Sequence, residues 1–408
     1  MRANRLLSGI VQMTAVFLFA PSAANADAVT DWNARTGEVI TAAGLGPPPA
    51  NRLMAIVYTA TYEATNAISK RYPASGLQLD VAPGASIDAA VAAAHRAVLT
   101  QLVPSQRAAI DTAYRTALSA LGDSGDVQAG IAVGEKAAAA VLAARASDGA
   151  ATQEAYRPHT TAGAYVPTVV PAVSQWPQRK PWLMTSAAQF RPGPPPALAS
   201  ERWARDYNEI KALGGRNSTR RSEEQTAIAR FWEATLPPIY HGLVRCVALM
   251  PNRDLTQNAR LFAAVTQAID DALVAVFDAK YHYNFWRPVT AIRNGDLDGN
   301  DATERDAAWL PFIETPMHPE YPCAHCIVAA TVATVLQAEV GNRPQPVWTT
   351  TSSTANGAAR SWPNLEAFAQ EVASARIYDG VHYRYSTEVG MAMGRQVGAL
   401  AVEKHFRN

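Results

Sequence analysis

Three short stretches in the last third of the chain carry side chains able to hold a tetrahedral oxyanion. They read KYHYNFWRP from Lys280 to Pro288, HPEYPCAHC from His318 to Cys326, and ARIYDGVHYRYS from Ala375 to Ser386. Lys280 and Arg287 are separated by nearly two helical turns, so the spacing predicts both cations on one helix face. Pro322 precedes an apparent helix start, and His325 opens the apolar run Ile327 to Leu336. Backbone N–H groups and an imidazole should meet at that positive helix end. Arg376 closes a third helical pattern, Gly380 permits a tight turn, and His382 follows, bringing a guanidinium and an imidazole together. Taken singly each pattern is ordinary, because a lone Lys or Arg on a helix is usually a solvated side chain. Together they offer three cations and two histidines to one anion.

In order and spacing the stretches resemble the signature of vanadium-dependent haloperoxidases and the related type 2 phosphatidic acid phosphatases. That signature runs Lys, six residues, Arg-Pro; then Pro-Ser-Gly-His; then Ser-Arg, a short gap, Gly, one residue, His. Lys280, Arg287 and Pro288 match the first part. Pro322 and His325 match the second, with Cys323 and Ala324 replacing Ser and Gly. Arg376, Gly380 and His382 match the third, with Ala375 replacing Ser. Weaker similarity to the bacterial branch extends upstream through Asp31 to Gly44, Met54 to Ile68, and the run FRPGPPPALAS before Trp203.

The resemblance implies an all-α fold of helical bundles and assigns roles. His382 is the axial group, a vanadium ligand in the peroxidases or a phosphorylated nucleophile in the phosphatases. His325 is the acid–base residue opposite it. Lys280, Arg287, Arg376, Cys323 and the backbone N–H of Ala324 face the equatorial oxygens, each charge-assisted bond being worth about 1.5–3 kcal/mol. Vanadate is the implied cofactor of a peroxidase, and none is implied for a phosphatase. Peroxide, halide and an organic acceptor, or else a phosphoester, are the implied small-molecule substrates. His318 falls where bromoperoxidases carry a histidine, on the halide side, so bromide is favoured.

The departures carry physical content. Cys323 is a weaker donor than Ser. Ala324 is tolerated only at negative φ. Ser386 stands where many members carry an Asp that orients the axial histidine, and that loss should harm a nucleophile more than a neutral metal ligand. The peroxidase reading therefore leads, a phosphomonoesterase follows, and a non-catalytic helical protein with a decayed site is the third alternative. Cys323 and Cys326 form a C-x-x-C at a helix start without the βαβ context of a thiol oxidoreductase, so a local disulfide is the better expectation.

Helices must position these groups. Periodicity predicts them over Asn51 to Tyr72, Ile87 to Gly122 with a break near Pro104, and Val127 to Ser147. A long Pro-rich connection at about residues 150–200 follows. Helices resume over Ser200 to Leu213 and over Arg221 to Thr235, where Ser222 and Gln225 form a capping pattern. A long run from Asp254 leads into Lys280. Nothing sustains strand alternation between hairpin turns. The chain thus divides into an N-terminal helical region over 27–250 and a C-terminal one over 251–408.

Ahead of both, Arg2 and Arg5, the apolar stretch Leu6 to Ala20 and Ala24-Asn25-Ala26 have the form of a secretory signal over residues 1–26, implying export to the periplasm or medium. No later segment reads as a membrane span. A net charge of +1 without a basic run excludes the footprint of a nucleic-acid binder. Three cysteines cannot define a disulfide framework.

Overall fold

The computed structural model describes residues 27–74 and 77–407, so the expected export signal lies outside the described residues. The first third folds into α1 (Ala28–Ala42), α2 (Pro47–Ser69), α3 (Ile87–Leu102), α4 (Arg107–Ser119) and α5 (Gly125–Arg145). Asp27 opens α1 in a capping box, prolines open α2, and Ser86 and Ser124 cap α3 and α5. Pro104 separates α3 from α4 through a single 3-10 turn.

Beyond the connection come α6 (Glu201–Leu213), α7 (Glu223–Phe231), α8 (Pro237–Ala248), α9 (Leu255–Tyr283), α10 (Pro288–Arg293), α11 (Ala324–Val340), α12 (Leu365–Tyr378) and α13 (Arg384–Phe406). Ser222 with Gln225 and Asp254 with Gln257 form the capping boxes that start α7 and α9. The expected all-α fold of helical bundles holds, with one small antiparallel ribbon, β1 (Trp348–Thr351) on β2 (Ala359–Trp362), which pairs Trp348 with Trp362. Four-residue strands are too short to show alternation, and Thr350 docks this ribbon on the Ile239 carbonyl of α8 at 2.7 Å.

One correction concerns α5. Its 21 residues are long and apolar enough, by length and composition, to cross a membrane. Here it lies against α3: a Cβ at Gly130 would sit 2.2 Å from the Ser86 carbonyl, and one at Gly134 would sit 2.3 Å from that of Ala90. The two backbones touch.

The central element is α9, buried without interruption from Leu261 to Lys280, with its apolar residues packed in the core and its buried charges Asp270, Asp271 and Lys280 each given partners. It packs against α2 on one side and against α11 and α13 on the other. α13 approaches α11 through Gly390, Gly394 and Gly398, where added Cβ atoms would meet the Cys323 carbonyl at 2.6 Å, the Ile327 carbonyl at 2.3 Å and Thr334 Cβ at 2.6 Å. This contact fixes the turn before α13, which carries His382, beside the start of α11, which carries His325. The connection is anchored on α9 by buried charge. The Arg179 guanidinium donates to both Asp270 oxygens at 2.6 and 2.9 Å and to Asp148 at 3.0 Å. Asp271 accepts the N–H groups of Trp182, Leu183 and Met184 at 2.7, 2.8 and 2.9 Å. Each of these buried charges is paired or hydrogen-bonded, as burial requires.

Two histidines lie wholly inside the first half of the core. His95 of α3 and His241 of α8 both contact the Tyr58 ring, and neither Nε2 has a partner. Burial pushes them down to about 4 and about 3. An unfolded histidine takes up a proton as pH falls through about 6.5, and these folded ones do not. Their stabilising contribution is therefore complete above 6.5 and lost as pH falls toward the folded value, at no more than about 1.4 kcal/mol per pH unit each. His95→Gln should flatten the dependence of melting temperature on pH between 7 and 5 relative to the unmodified protein. Parallel profiles would contradict it.

Candidate oxyanion site

Lys280 lies in the last turn of α9, but Arg287 does not share its helix. α9 ends at Asn284, whose φ of 49° is left-handed, and Arg287 is the extended N-cap of α10. Pro288 disfavours helical backbone at the residue before it, so the expectation of one helix face fails. Both cations are nevertheless buried, and both grip the loop from His318 to Glu320. Lys280 Nζ donates to the carbonyls of Pro319 at 3.0 Å and Glu320 at 2.7 Å. Arg287 donates through Nε to the His318 carbonyl at 2.8 Å and through Nη1 to the Val381 carbonyl at 2.9 Å. Nη1 also lies 3.4 Å from His382 Nε2, and Nη2 lies 3.0 Å from His318 Nδ1. His318 itself is half-buried, with its ring 5.1 Å from that of Phe277.

The second stretch starts α11, with Cys323 as N-cap. Cys323 and Cys326 are joined in a disulfide, with Cα atoms 5.4 Å apart. The local disulfide is thus the form present, and the expectation of a weak Cys323 donor is corrected, because a disulfide sulfur carries no hydrogen. Ala324 is the first helical residue, in right-handed backbone, so it is accommodated where the family signature has Gly. His325 follows, buried against the backbone of Trp232 and Glu233, with Nε2 unpartnered.

The third stretch brings Arg376 from the last turn of α12. Its Nη1 donates to the Trp232 carbonyl at 3.0 Å and to Asp379 Oδ2 at 2.6 Å, while its Nε has no partner. Gly380 then turns the chain at φ 80°, where a Cβ would lie 2.3 Å from the Gly214 carbonyl. His382 follows at once and is 1% exposed.

Sequence reasoning missed a carboxylate here. Ser386 Oγ is 3.4 Å from His382 Nδ1, but Glu320 Oε1 is closer, at 2.8 Å, and also accepts the Tyr383 N–H at 3.2 Å. The orienting acid is therefore present, supplied by the loop before α11 rather than from α13. The expectation that Ser386 leaves His382 without one is corrected. The only signal was that Glu320 is the sole acid in HPEYPCAHC. Asp379, the partner of Arg376, was missed as well.

Burial sets the electrostatics. It raises Glu320 to about 7 against the pull of Lys280 and Arg287, and Asp379 to about 7 against that of Arg376. Burial, then neighbouring cations, holds His382, His325 and His318 well below the usual imidazole value. Burial and Arg287 likewise lower Lys280. His382 is thus a neutral imidazole whose Nδ1–H donates to Glu320, leaving the Nε2 lone pair facing the cations. That form suits a metal ligand or a nucleophile.

An oxyanion fits this donor set. Lys280 and Arg287 direct their hydrogen bonds to carbonyls and an imidazole rather than to a carboxylate. The buried Nε of Arg376 and Nε2 of His325 are unpaired. A buried unpaired donor costs about 1–3 kcal/mol, so an anion accepting from Arg376 Nε would relieve that cost, while the lone pair of the neutral His325 Nε2 could accept a hydrogen from a protonated oxygen of that anion. Lys280, Arg287, Arg376, the Ala324 N–H and His382 could hold vanadate or a phosphoryl group in this way.

The region containing all of these residues, 260–408, matches the family of the VCPO second helical-bundle domain. Vanadium chloroperoxidase of Curvularia inaequalis is 29% identical over 179 residues, which cover 36% of this chain and 29% of that protein. The match therefore spans less than a third of that relative. Among solved structures, one described as the first bacterial vanadium-dependent iodoperoxidase is similar with a TM-score of 0.78 and 25% identity, over 92% of this chain and 96% of the other. An apo-type bacterial vanadium-dependent chloroperoxidase has a TM-score of 0.72 at 19% identity, over 89% and 94%, a likeness of fold.

Proposed function

The chain belongs to the superfamily of vanadium-dependent haloperoxidases and type 2 phosphatidic acid phosphatases, and from that premise we propose that it is a vanadate-holding haloperoxidase that oxidises halide, bromide in preference, with hydrogen peroxide. The observation that carries this reading is the buried cluster of Lys280, Arg287 and Arg376 around a neutral His382 whose Nε2 faces Arg287 Nη1 at 3.4 Å. Bound vanadate supplies a Lewis-acid centre at which peroxide is activated for oxygen transfer to halide. The chain's own groups do the rest. His382 Nε2 would be the ligand, kept in the correct tautomer by the Nδ1–H bond to Glu320. The three cations would neutralise the oxygens. His325, neutral with Nε2 unpaired, accepts a proton from incoming peroxide. His318, half-exposed and bridged to Arg287, lies on the proposed halide side, where an organic acceptor would meet the oxidised halogen. Export through the leader ending near Ala26 is part of the same proposal.

The Glu320 carboxylate favours a second reading, a phosphomonoesterase. A carboxylate-supported His382 Nε2 can attack phosphorus, while His325, normally neutral, would take up a proton and give it to the leaving alcohol. With Glu320 beside Nδ1, Ser386 no longer weighs against a nucleophilic His382. The two readings separate in one experiment on the purified protein, run side by side for vanadate-dependent bromide oxidation and for phosphate release from p-nitrophenyl phosphate. Bromide oxidation that requires added vanadate is expected. Phosphate release with labelled phosphate trapped on His382, and no bromide oxidation at any vanadate concentration, would transfer the assignment to the phosphatase.

A further inference from the structure

We propose that Met317 is a modification site at the mouth of the oxyanion site, a methionine converted to its sulfoxide by the hypohalous acid that the site releases. The proposal rests on the peroxidase reading above for its oxidant.

Burial leaves one way out. Lys280, Arg287, Arg376, Glu320, His325 and His382 are all buried, and of the site residues His318 alone is not. A product formed at His382 Nε2 therefore leaves past His318. Its Nδ1 lies 3.0 Å from Arg287 Nη2, and the other arm of that guanidinium stands 3.4 Å from His382 Nε2. Met317 is the residue before His318 and is 51% exposed. Its backbone is fixed on both sides. The Met317 carbonyl accepts the Ala172 N–H at 2.6 Å, and the His318 N–H closes a three-residue turn on the Pro316 carbonyl at 2.8 Å. The connection that carries Ala172 is itself tied to the loop before Arg287, where the Tyr165 N–H donates to the Asn284 carbonyl at 2.8 Å and the Trp286 N–H to the Gly163 carbonyl at 2.9 Å.

Met317 is also alone in kind. Among the described residues Met54, Met184, Met391 and Met393 are buried and Met250 is half-buried, so Met317 is the one exposed methionine. A thioether is soft and polarizable, and oxidation to the sulfoxide is its common fate where an oxidant can reach it. The sulfur lone pair attacks the halogen of hypohalous acid, so that a sulfur–halogen bond forms as the oxygen–halogen bond breaks and hydroxide leaves. Water then adds to sulfur and halide departs. In sum, thioether and hypohalous acid give sulfoxide, halide and a proton. Sulfur loses two electrons and the halogen gains them, so the halide returns as substrate. A polar sulfoxide then stands beside His318 in place of an apolar group.

The test is peptide mass spectrometry of the full protein after turnover with vanadate, bromide and hydrogen peroxide, with excess free methionine in solution to consume the hypobromous acid that escapes. Sulfoxide formed on the free methionine counts the acid produced. A second arm adds the same amount of reagent hypobromous acid, with the same free methionine, to protein without vanadate or peroxide. A group beside the source meets the product at a far higher effective concentration, so the ratio of sulfoxide at Met317 to that at Met250 should be about 10-fold higher in turnover than with the reagent. Peroxide and vanadate without bromide should leave Met317 unmodified. Met317→Leu should oxidise bromide at the unmodified rate while no longer taking up that oxygen. Equal ratios in the two arms, or sulfoxide at Met317 formed by peroxide without bromide, would overturn the modification site while leaving the peroxidase standing. A protein that oxidises no bromide would overturn the peroxidase reading, and with it the source of the oxidant.

Discussion

His382→Ala is expected to reduce turnover to background, whereas Lys280→Ala should lower it by about 10²–10³ and leave a measurable residue. The asymmetry follows from the two roles. His382 Nε2 would make the bond that defines the reacting centre, because His382 alone among the three imidazoles has its other nitrogen held by a buried carboxylate, whereas His318 Nδ1 lies against Arg287 and His325 stands at the start of α11. The cations share one job, so removing one leaves two. Lys280→Ala also releases the Pro319 and Glu320 carbonyls, so its thermal stability should fall with its rate. Steady-state rates and melting temperatures of both variants check this. Activity in His382→Ala above that of Lys280→Ala would show that His382 does not make that bond.

The second large effect is expected at Glu320. Glu320→Gln keeps an acceptor for the His382 Nδ1–H but removes the charge, and losses at such supporting carboxylates typically run to about 10–100-fold. Below about 7 the Glu320 carboxyl takes up a proton, so activity of the unmodified protein should decline as pH falls through that value. The Gln variant should lack this limb. Stability runs the other way. Because burial places the folded pKa above the ordinary carboxyl value, the contribution of Glu320 is present at low pH and lost as pH rises through about 7. Glu320→Gln should therefore lose rate without losing melting temperature above pH 7. An unchanged pH–rate profile would show that the carboxylate does not act through His382.

What could be read from the chain was whatever local chemistry determines. Ser222 with Gln225 marks a helix start by a reciprocal hydrogen bond made within four residues, and Pro104 breaks a helix by its own ring. The five candidate site residues were legible because the order and spacing of the three stretches together resemble one family signature, each stretch alone being ordinary. The manner of their meeting was not. Lys280 and Arg287 look like one helix face at seven-residue spacing, yet Asn284 in left-handed backbone and Pro288 divide them between two helices. Glu320 reaches His382 across 62 residues of chain because the Gly390, Gly394 and Gly398 contacts draw α13 onto α11. No local pattern encodes that approach. The β1–β2 ribbon depends likewise on docking to α8, not on its own short alternation.

The most direct test is a crystal structure of the protein soaked with orthovanadate, with vanadium located by its anomalous scattering. One peak bonded to His382 Nε2 is expected, with oxygens facing Lys280, Arg287 and Arg376. No peak at His382, or a peak elsewhere while these cations keep their carbonyl partners, would contradict a shared oxyanion site.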